Sequence, residues 1–231
     1  MPRNKYPEET RQKIIEAAIK TFQDKGFEQS TILDIVANMD GLTRGAFYHH
    51  FKSKDEVLKA ITDILFYGES PFERVRHEKG LNGLQKLRKA FKLNVAESNN
   101  ELRLASESLL ESPQFFLENM KFNAILGKEF IQPLIEEGAR DGSIKVENPR
   151  LIAELTIMLF SIWLTPAIFS GDIKYLEDKA MLSNEILTTL GLPLFDEEFL
   201  EIGEEYVEIM ADIMEKHSAD AKTDNSNTKQ S

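Results

Sequence analysis

"TILDIVANMDGLTRGAFYHHF", residues 31–51, decides how this chain is read. Ile32, Ile35 and Val36 fall on one side of a helix, and Thr31 with Asp34 three residues later has the form of a capping box. "MDGL" then makes a turn around Gly41, where a positive φ is expected. Thr43 caps a second, short helix. A helix, a four-residue turn with glycine and a second helix make up the helix-turn-helix arrangement. The second helix is expected to expose Thr43, Arg44, Gly45, Tyr48 and His49 and to turn Phe47 and Phe51 toward the core.

These chemistries suit the major groove of DNA. Arg44, at the helix start, can donate two bonds to guanine O6 and N7. Gly45 has no side chain, so the backbone can approach the duplex closely, and Ala46 offers a methyl group to a thymine methyl. Thr43, Tyr48 and His49 can donate to phosphate oxygens, and Thr31 joins them as a candidate DNA contact. Lys54 opens the next helix, where free backbone N–H groups favour an anion. The helix is small and polar because it must fit between two phosphate rails.

Working outward, the periodicity stays helical. Ile14, Ala18 and Phe22 recur every four residues, with Ile15 and Ile19 beside them, so Thr10–Lys25 reads as an amphipathic helix stopped by Gly26. Ser53 and Glu56 form another capping pair. Further helices are expected at about 54–68, 81–98, 100–111, 113–119, 121–139, 149–169, 174–190 and 196–216. Ser112-Pro113 and Asn148-Pro149 each place a cap before a proline at the first helical position. "RDGS" at 140–143 is a turn, and Pro133 and Pro166 should kink their helices. The polar end, residues 217–231, is expected to be a disordered tail.

Thr10–Ile61 resembles the DNA-binding domain of the TetR family of bacterial transcriptional regulators, through "AAIKTFQDKGF", "GLTRGAFYHHFKSK" and the following "KDEVL". The resemblance covers about a quarter of the chain. It implies an all-α homodimer: a helix-turn-helix DNA-binding domain over residues 1–60 with an N-terminal three-helix core, then a larger helical ligand-binding and dimerisation domain over 61–216. Asp40 departs from the family pattern, which has alanine just before this glycine; an aspartate there must stay at the surface or cap something. Beyond residue 61 the resemblance is architectural, and no ligand identity is carried over.

The charge distribution fits this division. Net charge is −11, which by itself argues against a polyanion partner. Residues 1–60, however, hold ten Lys and Arg against nine Asp and Glu, so the acidity lies in the remainder. There is no cysteine, which excludes disulfides, thiolate metal sites and cysteine nucleophiles. The N-terminus lacks the apolar run of a signal peptide. The most apolar run, Leu155–Phe169, is shorter than the roughly 20 residues of a bilayer span, so no membrane association is expected and the protein reads as cytoplasmic.

In the family the region after residue 61 encloses an effector cavity. Its many phenylalanines suit an aromatic wall, and the candidate pocket residues are Phe66, Phe91, Asn94, Phe116, Phe122 and Asn123, with Glu97 and Glu107 as further polar contacts. The helix at 149–169 is apolar around most of its circumference and needs cover on several sides, so Leu155, Leu159, Ile162 and Trp163 are candidates for a dimer interface. No catalytic constellation, cofactor motif or metal-ligand spacing stands out: His49 and His50 are chain neighbours about 100° apart on a helix. The reading is a non-enzymatic, ligand-responsive dimeric repressor that binds operator DNA and a small-molecule effector without a cofactor. One alternative is an activator or co-regulator whose C-terminal domain binds a protein; another is a carrier or enzyme that kept the fold and lost DNA binding.

Overall fold

A computed structural model describes residues 7–67, 70–98, 109–110, 112–165, 168–169 and 172–203. Among these residues every regular element is helical: α1 Pro7–Lys25, α2 Ile32–Ala37, α3 Arg44–His50, α4 Lys54–Tyr67, α5 Pro71–Arg76, α6 Gly83–Ser98, α7 Pro113–Leu126, α8 Gln132–Asp141, α9 Pro149–Met158 and α10 Ile173–Thr189. Two short π-helical segments, Gly127–Ile131 and Leu159–Trp163, continue α7 and α9. None of the described helices is long and apolar enough to cross a membrane. The chain forms two compact units, one of residues 1–70 with 100–125, the other of 71–99 with 126–231.

The first unit is built around α1. Ile14, Ala18 and Phe22 are fully buried at the expected four-residue spacing, and Phe47, Val57, Leu58 and Ile61 from α3 and α4 join the same core. That core also takes in Leu109 and Phe115. The expected caps form at α2: Asp34 N–H donates to Thr31 Oγ1 at 3.2 Å, and Thr31 N–H donates to Asp34 Oδ2 at 2.9 Å. At α4, Glu56 N–H donates to Ser53 Oγ at 3.2 Å, while the Glu56 carboxylate accepts from Lys52 N–H at 2.7 Å, one residue earlier than the usual reciprocal pair.

In the second unit α6 and α8 cross where neither has a side chain: a Cβ on Gly83 would lie 2.1 Å from the backbone nitrogen of Gly138. The expected turn at 140–143 lies beside this crossing, with Gly142 left-handed at φ 83°. It caps α6, since Asp141 Oδ2 accepts from Gly83 N–H at 2.8 Å and Ser143 Oγ from Leu84 N–H at 3.2 Å. Phe72 of α5 meets Phe91 of α6 edge to face.

Several expectations need correction. The spans 113–119 and 121–139 form one continuous helical run, because no breaker separates them and Gly127–Ile131 only widens the turn. That widening directly precedes Pro133, which has no N–H to donate to residue 129. The helix expected at 149–169 leaves α-geometry after Met158 and ends after its π segment at Trp163, where Leu164 N–H reaches back five residues to Leu159 at 2.9 Å. Thr165, before Pro166, is disfavoured in a helix, which accounts for the earlier stop. Asn148 caps α9 as expected, by accepting from Leu151 N–H at 3.2 Å. Ser112 does not cap α7 through its side chain: its hydroxyl has no partner. Helix α5 was not expected, although Ser70-Pro71 repeats the start signal at Ser112-Pro113. The span 196–216 is helical over its described part, 197–203. Most of 100–111 and all of the tail 217–231 lie outside the described residues.

Candidate nucleic-acid interface

Helix α3 is held from below and left bare above. Phe47 is fully buried and Phe51 nearly so, and the Arg11 guanidinium of α1 lies 5.5 Å from the Phe51 ring. The turn into α3 has Gly41 at φ 70°, and Leu42 N–H closes it by donating to Met39 O at 3.0 Å. Asn38 fixes the end of α2 to α1, donating from its amide to Thr21 Oγ1 at 2.9 Å. Asp40, the departure from the family pattern, is exposed. With both ends of the turn fixed, Thr43, Arg44, Gly45, Tyr48 and His49 face solvent together and Ala46 is half-buried.

The polar groups on this surface differ in what they have left to offer. Thr43 Oγ1 accepts from Ala46 N–H at 3.3 Å, which leaves its own O–H to donate outward. Arg44 Nη2 approaches Tyr48 Oη at 3.4 Å, and its guanidinium lies 5.4 Å from the Tyr48 ring, so the tyrosine one turn on steadies it. Thr31 has already committed its hydroxyl, donating to Asp34 Oδ2 at 2.7 Å. Asp34 is held at a pKa of about 2 by the Lys25 ammonium, 2.5 Å away, together with the hydrogen bonds from Thr31.

Lys54, expected to favour a phosphate, engages its ammonium within the protein. Nζ donates to the carbonyls of Phe27 at 2.7 Å, Glu28 at 3.1 Å and Ser30 at 3.1 Å, and lies 4.5 Å from the Phe27 ring. Three N–H groups meet three carbonyls, so the side chain clasps the α1–α2 connection to the start of α4. Its position at a helix N-terminus revealed the anion-favouring backbone but not this destination.

His50 is the residue that sequence reasoning missed. Its Nε2 is buried with no hydrogen-bond partner, and its ring stands edge to face with His49 at 5.2 Å. Burial lowers its pKa below the ordinary 6.5; His49 and Arg11 push the same way and Glu8 opposes them. The sequence reading put His49 on the exposed side and His50 about 100° away from it, and the fold leaves the first ring exposed and the second half-buried.

The other candidate residues divide between the two units. Phe66 stacks on Phe122 with centroids 5.0 Å apart and meets Phe115 at 5.4 Å, and Phe116 and Asn123 lie in the same unit. Phe91 and Asn94 belong to the second unit, where Phe91 packs on Phe160 at 4.8 Å. Glu97 pairs with Arg74, and Glu107 lies outside the described residues. Leu159 is 6% exposed, while Leu155, Ile162 and Trp163 are half-buried. The apolar side chains left exposed on these helices are Leu151 and Met158 of α9 and Tyr175, Met181 and Leu182 of α10. A shallow groove of about 430 Å³ on α10 runs past Met181, Leu182 and Glu185.

Comparison with known proteins agrees with this architecture. Residues 14–61 match the family described as bacterial regulatory proteins, tetR family. The HTH-type transcriptional regulator TtgR of Pseudomonas putida is 47% identical over 58 residues, 25% of this chain and 27% of that protein. The likeness to such curated relatives thus spans only about a quarter of their length. A longer match, to the uncharacterized HTH-type transcriptional regulator YhgD of Bacillus subtilis, is 25% identical over 158 residues, 64% of this chain and 78% of that one. In fold, the solved SmeT–triclosan complex aligns over 82% of this chain and 95% of its own at a TM-score of 0.66 and 22% identity. Residues 14–61 thus carry the helix-turn-helix segment of the tetR family of bacterial regulatory proteins, and the chain shares its helical fold with the solved SmeT structure.

Proposed function

We propose that this protein is a dimeric transcriptional repressor that binds operator DNA through α3 and releases it when a small molecule binds outside the helix-turn-helix. The observation that carries the reading is the bare surface Thr43–Arg44–Gly45–Tyr48–His49 on a helix fixed from below by Phe47 and Phe51. Arg44 reads guanine through two parallel bonds, Thr43, Tyr48 and His49 hold phosphates, and Gly45 sets how deeply the helix enters. Lys54 and Thr31 support this surface from within. Repression and ligand response are supported by the relatives: SmeT is described as the repressor of the Stenotrophomonas maltophilia multidrug efflux pump SmeDEF, and a triclosan complex of it is known. The dimer contact is proposed on the exposed apolar faces of α9 and α10.

Footprinting on the DNA flanking the gene tests the reading, with Arg44→Ala as the control. Protection of two half-sites by the wild-type protein is expected. Arg44→Ala should weaken that protection by about 1–3 kcal/mol and relax preference at one base pair. No protection anywhere in the flanking DNA would overturn self-regulation, and unchanged base preference in the variant would remove Arg44 from its reading role.

A further inference from the structure

Helix α10 buries a lysine where its own packing calls for an apolar side chain. Leu176, Lys179, Ser183 and Leu187 follow at helical spacing and form the buried stripe of the helix. Lys179 is 3% exposed. Ser183 satisfies its hydroxyl on the same helix, donating to the Lys179 carbonyl at 2.8 Å. The Lys179 ammonium has no such outlet. Among the described residues it meets no carboxylate and no carbonyl oxygen. Its neighbours are two rings: Nζ lies 5.1 Å from the centroid of Tyr175, one turn earlier, and 5.3 Å from that of Phe169. Both of these residues are exposed, so the amine lies beneath a cover one side chain thick. Ring faces attract a cation but supply no counter-charge. The other buried lysine of this unit, Lys86, does have one: it pairs with Glu137 at 2.7 Å.

We propose that Lys179 is a covalent modification site for small, uncharged aldehydes. The site does not depend on the repressor reading. Burial holds the Lys179 pKa below the ordinary 10.5, because the charged form is the one that loses its hydration. At pH 7 a larger fraction of Lys179 is therefore neutral than of an exposed lysine, and only the neutral amine has a lone pair to give. That lone pair attacks the carbonyl carbon. Both N–H protons pass to the carbonyl oxygen, which leaves as water, and an imine replaces the amine. The reaction needs no other co-reactant. The aldehyde is small because it must pass between Phe169 and Tyr175, whose exposed rings change rotamer within nanoseconds. It is uncharged because the amine that reacts is neutral, so a carboxylate carried beneath the rings would be buried without a counter-charge.

The test uses the full chain with acetaldehyde as the probe. Cyanoborohydride reduces the imine to a stable ethylamine, and peptide mass spectrometry locates it. At limiting acetaldehyde and pH 7, Lys179 should carry more label than any other lysine. Its share should fall by pH 10, where exposed lysines are also neutral in large part. Unfolding the chain in guanidinium before labelling should level all the lysines. Glyoxylate, the carboxylate analogue, should give Lys179 no lead. Phe169→Ala with Tyr175→Ala lets water reach the ammonium, and it should remove the lead while keeping the helical content, since both residues are exposed. The proposal is overturned if Lys179 is labelled no more than the exposed lysines at pH 7, or if its lead persists in the unfolded chain. It is equally overturned if glyoxylate matches acetaldehyde at this residue or if the double variant keeps the lead. The pH and unfolding measurements use the unsubstituted protein, so they decide the question even where the double variant fails to fold.

Discussion

Gly45 sits in the second position of a seven-residue helix, where glycine costs about 0.5–1 kcal/mol relative to alanine. Nothing inside the protein demands it: an added Cβ would meet only Thr43 Oγ1, at an ordinary 3.6 Å, and its φ is not positive. Under the proposed function, the missing side chain makes room for the duplex. Gly45→Ala is expected to stabilise the protein by about 0.4–1 kcal/mol in denaturant unfolding while weakening operator binding. Equal operator affinity in the two proteins would show that close approach is not the reason for the glycine. Two further residues set the response to acid. The folded-state pKa of His50 lies below 6.5, so as pH drops under that value the unfolded chain takes up a proton that the folded one refuses, and stability declines until the folded value is passed. Asp34 adds a second decline, from its ordinary 3.8 down to about 2, because its ion pair with Lys25 is lost when the carboxylate is protonated. A melting-temperature profile should show both declines, with His50→Gln removing the first and Asp34→Asn the second; a flat profile from pH 7 to 5 would contradict the burial of His50.

At the scale of elements, Lys54 joins the start of α4 to the chain between α1 and α2. Removing it leaves three carbonyls to find other donors. Lys54→Ala should lower stability by about 1.5–3 kcal/mol, in the range for hydrogen bonds to a charged group. The slope of operator affinity against salt should stay unchanged, because no counterion-releasing phosphate contact is lost. A flatter slope with normal stability would restore Lys54 to the phosphate backbone. The sequence showed that Lys54 opens a helix but not where four methylenes carry its ammonium, since that depends on carbonyls 24 to 27 residues earlier. The helix-turn-helix was legible because its signals are local: Thr31 and Asp34 cap, Gly41 turns, and Phe47 and Phe51 point inward at fixed spacing. The π segments were not legible as such, although Pro133 and Pro166 marked the places where regular helix would fail. Grouping Leu109 and Phe115 with the α1 core was equally hidden, because an apolar side chain does not specify which core it enters. For the same reason the pocket candidates were named as one set and fall into two units.

For the molecule as a whole, the near balance of charge in residues 1–60 means that the DNA-binding end has little long-range attraction for a duplex, and the rest is strongly acidic. Under the proposed function, affinity comes from two recognition helices acting together, which a two-fold dimer would supply by placing them one helical turn of DNA apart, about 34–36 Å. The side chains available for such a contact are those that their own unit leaves bare. Leu151 and Met158, two turns apart on α9, are 57% and 58% exposed, and Met181 and Leu182 on α10 are 54% and 45% exposed. Leu159, by contrast, is enclosed, so a charge there would unfold the unit and report nothing about assembly. A double variant, Met158→Glu with Leu182→Glu, is therefore expected to keep the wild-type helical content, since exposed substitutions usually change stability by no more than about 0.5 kcal/mol. Sedimentation should show it as a monomer. Its affinity for a single half-site should match that of the wild type, while its affinity for the full operator should fall to the half-site value. If the double variant still sediments as a dimer, the exposed faces of α9 and α10 are not the interface. If it is a monomer that binds the full operator as tightly as before, dimerisation is not what gives this weakly charged end its hold on DNA.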